Sequence, residues 1–183
     1  MNLKIGYFLI LTFSLFACKS DKPTNNTSKY VKDDENNPDT KRFYLLTSSV
    51  LEELDKGNLK ATNRIITQLD SLIPQYPNSW NYGNAIHKIN IAKGRIALNQ
   101  SNKEKAMQYL LEAANIDGSP QLDSFGPNMT LAKALLDKSE TEIVIEYLES
   151  CKRFWKNENG KILKWQEMIK KGLKPDFGAH LKY

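Results

Sequence analysis

Gly94-Arg95-Ile96-Ala97-Leu98-Asn99-Gln100-Ser101-Asn102-Lys103-Glu104-Lys105-Ala106 is answered 38 positions later by Ala132-Lys133-Ala134-Leu135-Leu136-Asp137-Lys138-Ser139-Glu140-Thr141-Glu142-Ile143-Val144. A small residue opens each stretch, then a base, then a leucine (Leu98, Leu136). The match runs on through Tyr109 and Tyr147, Leu110 and Leu148, and Ala113 and Cys151. Ser101 and Ser139 each precede a glutamate by three residues. That spacing predicts a capping box, in which serine and glutamate satisfy free N–H groups at a helix start. Small residues at Gly94, Ala132, Ala113 and Cys151 mark places where helices must approach closely. A self-match at fixed spacing indicates stacked helical pairs.

The flanking sequence has the same character. Phe43, Leu46, Val50 and Leu54 share one helical face, and Gly57-Asn58 stops them. A second segment carries Leu59, Ile65, Ile66, Leu69, Leu72 and Ile73 before Pro74 and Pro77. A third runs from Trp80 to Asn99 and a fourth from Lys103 to Ile116. Gly126-Pro127 opens a fifth, since proline suits a first helical turn. A sixth covers Glu140 to Trp155, and a seventh Lys161 to Lys171. No segment alternates as a strand does. The predicted class is all-α, and the chain's length suits one domain.

Gly94, Ala106, Leu110 and Ala113 hold the small, alanine, large apolar and alanine positions of a helix pair that resembles the tetratricopeptide repeat. Residues Thr62, Ile66, Leu69 and Pro74 form a looser unit before it. Ala132, Val144, Leu148 and Cys151 form one after it. The resemblance implies a right-handed stack of antiparallel helix pairs, about three units over residues 42–155. Residues 156–183 then supply a capping helix and a tail. Trp165 and Ile169 stand on that helix's inner side, and terminal repeats need such a cap.

The first 17 residues read as a signal peptide. Lys4 precedes an apolar run from Ile5 to Phe16, which is too short to cross a bilayer. Leu15-Phe16-Ala17-Cys18 resembles the lipobox of bacterial lipoproteins. That resemblance implies lipidation of Cys18 and a place in the cell envelope, anchored in the outer membrane. Residues 18–41 are polar, with little to bury, and read as a disordered tether. With Cys18 lipidated, Cys151 has no disulfide partner and reads as a small core residue.

Catalytic and metal motifs are missing from the sequence. Asp176-Phe177-Gly178 matches the metal-binding triplet of kinases but lacks every companion motif. His87 and His180 have no second histidine at ligand spacing, and there is no Cys-x-x-Cys. No cofactor and no catalytic residue are expected. A hydrolase using an acid pair is the alternative enzyme reading, with no particular pair singled out.

A binding surface is the stronger expectation. The net charge of +5 suits an acidic partner. Stacked helical pairs present a concave face lined by each first helix, and the resemblance implies that ligands contact that helix. Its exposed positions here are Tyr44, Thr47 and Asp55, then Lys88, Arg95 and Asn99, then Lys133 and Asp137. Lys88, Arg95 and Lys133 are expected to make a basic wall for carboxylates or phosphates. The expected partner is a protein or peptide with acidic groups, with an immunity-type docking protein as the alternative. Basic residues and aromatics are also mixed from Lys152 to Tyr183. An exported protein has little occasion to meet nucleic acid, so none is expected as partner.

Overall fold

The computed structural model describes residues 32–34 and 36–182. The signal peptide, Cys18 and most of the expected tether lie outside these residues. The described residues form eight α-helices and two short 3-10 turns, with no strand among them. The all-α expectation holds.

Helix α1 (Pro38–Asp55) begins four residues before the expected boundary at 42. Asn37 caps it, its side chain accepting the Asp39 N–H, and Pro38 loses no hydrogen bond in the first turn. Gly57 at φ +74° ends it, with Asn58 N–H closing on the Glu53 carbonyl at 2.9 Å. Asn58 then caps α2 (Leu59–Leu72), which passes into a 3-10 turn at Ile73–Gln75 around Pro74. Next come α3 (Tyr82–Asn99) and α4 (Lys103–Ala114). They are followed by α5 (Pro120–Phe125) and α6 (Thr130–Leu136). Helices α7 (Thr141–Cys151) and α8 (Lys161–Lys170) complete the set.

The repeat is real in its burial pattern. Gly94 and Ala132 are buried, and so are Ala106 and Val144, Leu110 and Leu148, and Ala113 and Cys151. Shifted by 38 positions, α4 falls on residues 141–152 and coincides with α7. The same shift sets α3 on residues 120–137, which hold two helices, α5 and α6, instead of one. Gly126-Pro127 breaks that helix and does not start one. Gly126 takes φ +84°, and proline has no N–H to continue the ladder.

The serines do not cap as predicted. Ser101 and Ser139 adopt φ 61° and 66°, the left-handed conformation that ends a helix. Asn102 N–H bonds the Ala97 carbonyl at 2.9 Å, and Glu140 N–H bonds the Leu135 carbonyl at 3.0 Å. These are the reaching-back bonds of a left-handed helix stop. The cap of α4 is Asn102, whose side chain accepts the Lys105 N–H.

Helix α1 packs on α2 and α3, α3 packs on α4 and α6, and α4 and α6 both meet α7. Helix α8 packs on α7 and buries Ile162, Trp165 and Ile169. Phe177 is buried edge-on against Trp165 at a 5.0 Å centroid distance. The tail thus returns to the domain, and the His180 carbonyl accepts the Met129 N–H at 2.8 Å.

Candidate functional site

The break between α5 and α6 opens a cleft of about 390 Å³ between α1, α3 and α5. Tyr44, Thr47 and Ser48 supply one wall from α1. Asn81, Asn84, His87 and Lys88 supply the floor from the start of α3. Gln121, Leu122, Phe125, Gly126 and Asn128 close the far side. The volume lies within the range of small-ligand pockets.

A buried polar network fixes these groups. Thr47 Oγ1 donates to the Phe43 carbonyl and accepts from Asn81 Nδ2, both at 2.9 Å. Thr47 is therefore a buried brace, not the exposed contact expected of it. Asn84 Nδ2 donates to Gln121 Oε1 at 2.8 Å, and Asn84 Oδ1 accepts the Ser119 hydroxyl at 2.6 Å. Ser119 also caps α5 by accepting the Leu122 N–H.

His87 is fully buried and holds the loop. Its Nδ1 lies 2.9 Å from the Ala113 carbonyl, and its Nε2 accepts the Asn128 N–H at 2.9 Å. That pairing selects the neutral tautomer with hydrogen on Nδ1. Burial pushes its pKa down to about 4, against the opposing pull of the Ala113 carbonyl. The Asn128 carbonyl accepts the Tyr147 hydroxyl at 3.1 Å. Gly126 sits against the Trp155 indole, where an added Cβ would come within 2.4 Å of the ring. The far wall is thus set by α3, α7, the tail and Trp155 together.

The charges of the expected basic wall separate. Arg95 Nη1 lies 2.7 Å from Asp55 Oδ1, an ion pair linking α3 to α1 whose angle falls outside hydrogen-bond geometry. Lys133 pairs with Asp137 at 2.9 Å, and Lys174 meets the same carboxylate at 2.8 Å. Both lysines hold the Asp137 carboxyl below its ordinary range. Asn99 is exposed at the far end of α3. Lys88 alone of the three cations has no charged or hydrogen-bonding partner among the described residues. It is half-buried, and desolvation lowers its pKa. Tyr44 and Lys88 therefore share the cleft, while Arg95, Asn99, Lys133 and Asp137 do not line it.

A second cleft adjoins the first and shares Tyr44 and Gln121 with it. Here the chain presents its own carboxylate: Asp33 Oδ2 accepts the Tyr44 and Ser79 hydroxyls, each at 2.6 Å.

Sequence reasoning missed Asn84, His87, Gln121, Phe125 and Asn128. The signal was the Gly126-Pro127 pair inside a stretch that the repeat aligns with a helix. A third feature, the buried Cys151, lies beside the Tyr147 hydroxyl, and burial pushes its thiol well up. A protonated, enclosed thiol is inert. No cluster of three potential metal ligands occurs among the described residues, and no helix among them is long and apolar enough to cross a membrane. No protein-family model, curated protein or solved structure matches the chain.

Proposed function

We propose that this chain is a lipid-anchored envelope protein that docks a protein or peptide partner through its helical domain, without chemistry of its own. The lipobox-like Leu15-Phe16-Ala17-Cys18 supports the anchor. The domain reads as a tetratricopeptide-like stack. In it α1, α3 and the broken α5–α6 are the first helices of three successive pairs. The cleft then lies on the row of first helices, where such stacks take their ligands.

One observation carries the reading. The cleft is lined by twelve residues, none of them acidic, and its one charge is the unpartnered Lys88. A half-buried cation is costly to keep without a counter-ion, and a partner's acidic group supplies one. Phe125, 64% exposed at the rim, offers an aromatic anchor of the kind that dominates binding energy.

Photo-crosslinking in envelope membranes tests the docking. A crosslinker at Phe125 should yield a discrete adduct, and one at exposed Glu104 on α4 should not. Equal labelling from both positions, or none from Phe125, sinks the reading. Cys18→Ser should release the chain from membranes; retention there contradicts the anchor.

A further inference from the structure

The polar groups of the cleft are not neutral in what they offer. Each acceptor of the network already receives a donor from within the chain. Thr47 Oγ1 receives Asn81, Asn84 Oδ1 receives Ser119, Gln121 Oε1 receives Asn84, and Asn128 Oδ1 receives the Thr130 N–H at 2.9 Å. Two donor groups remain without partners among the described residues, the Lys88 ammonium and Gln121 Nε2. Gln121 is held by its oxygen, so its amide nitrogen is presented in a fixed place. Nearby acids do not neutralise Lys88. Glu52 is engaged by Lys56 at 2.7 Å and Asp55 by Arg95 at 2.7 Å. The remaining wall is Tyr44, Leu122 and Phe125, which is apolar in its bulk.

From these groups we infer that the cleft is a receptor site for a single carboxylate carried on an apolar body, with Lys88 as its counter-ion and Gln121 Nε2 as its second donor. The two unpartnered groups are both donors, and together they favour a group that is acceptor-only, which an ionised carboxylate is and an alcohol or amide is not. One cation suits a monoanion better than a phosphate dianion. The adjoining cleft already receives a carboxylate, that of Asp33, through Tyr44 and Ser79. The inference rests on the docking reading and specifies the group that enters. Its source is either a free organic acid or the acidic end of a partner chain.

Isothermal titration of the full chain in detergent with 3-phenylpropionate and its neutral isostere 3-phenylpropionamide separates charge from shape. A second pair, acetyl-Gly-Gly-Phe with a free and with an amidated C-terminus, tests the partner-chain source. In at least one pair the acid should bind about tenfold or more tighter than the amide. Lys88→Met should erase that difference and Lys88→Arg should keep it, with both variants checked to unfold in a single cooperative transition no lower than that of the wild type. Preference confined to the small acid identifies a free ligand, and preference for the peptide acid identifies a chain end. Equal binding of acid and amide in both pairs, no binding in either pair, or a preference that survives Lys88→Met overturns the inference. The crosslink from Phe125 would still stand in those cases, so the two failures are distinct.

Discussion

His87 Nε2 accepts the backbone N–H of Asn128 at 2.9 Å across 41 positions of sequence, and this bond ties the floor of the cleft to its far wall. It exists only while the imidazole is neutral. A second proton would set N–H against N–H at a fully buried ring. Burial already holds the pKa at about 4, below its ordinary 6.5. Between those values the unfolded chain binds a proton that the native state refuses. Stability contributed by this residue is full above pH 6.5 and is lost as pH falls to about 4. The loss totals ~3 kcal/mol. Urea unfolding at pH 7 and pH 4 should show it. In His87→Gln the difference between the two pH values should shrink by about that amount, since the carboxylates titrate alike in both proteins.

Two glycines of α3 should differ sharply when given a methyl. At Gly94 the new carbon would lie 2.2 Å from Leu131 Cδ2, a side-chain tip that can turn away. Gly94→Ala should cost about 1–3 kcal/mol, the usual cost of overpacking. At Gly83 the obstacle is the Gly118 carbonyl oxygen at 1.9 Å, which is backbone. Gly83→Ala should cost more than Gly94→Ala and should also disturb Ser119 and α5. Thermal melts of the two variants rank them.

The legible part of this fold was what periodicity and close packing control. Leu110, Leu148, Ala113 and Cys151 are all fully buried, because apolar spacing reports which face a helix turns inward. The placement of Trp165 and Ile169 on the buried side of α8 follows for the same reason. The site was less legible because it is made of contacts distant in sequence. Nothing local links His87 to Asn128, or Asn84 to Ser119. Tyr44 and Lys88 were found because the tetratricopeptide resemblance singles out exposed positions on their two helices. The pairing of Arg95 with Asp55 was not foreseen, since both looked exposed when taken singly. Pro127 was misplaced because proline fits both a helix start and a helix break, and the preceding Gly126 in its positive-φ state decides for the break.

Ser101 offers a clean test of how α3 ends. In a capping box, Ser101→Gly would cost only a few tenths of a kcal/mol and Ser101→Ala about 1 kcal/mol. In the observed left-handed state at φ 61° the serine side chain is a burden. Ser101→Gly should then stabilise the domain by about 0.5–1 kcal/mol, while Asn102→Ala should destabilise it by ~1 kcal/mol through loss of the α4 cap. Ser139→Gly should behave as Ser101→Gly does. Chemical denaturation with unchanged slope settles the sign.

Lys88 and Arg95 should answer to methionine with opposite signs. Arg95 loses an ion pair with a half-exposed aspartate, so Arg95→Met should lower stability by at most about 1 kcal/mol. Lys88 loses a desolvated charge that no group among the described residues compensates, and methionine keeps much of its stem. Lys88→Met should therefore raise the melting temperature, the direction expected where a residue is retained for binding at a cost to the fold. The effect should fade at alkaline pH. The native lysine has its pKa lowered, so it sheds its proton before the unfolded one does, and the wild type gains stability as pH rises through that window. Melting curves of both variants at pH 7 and in the alkaline range give the comparison. A lower melting temperature for Lys88→Met at pH 7 would show that the ammonium is already compensated within the chain.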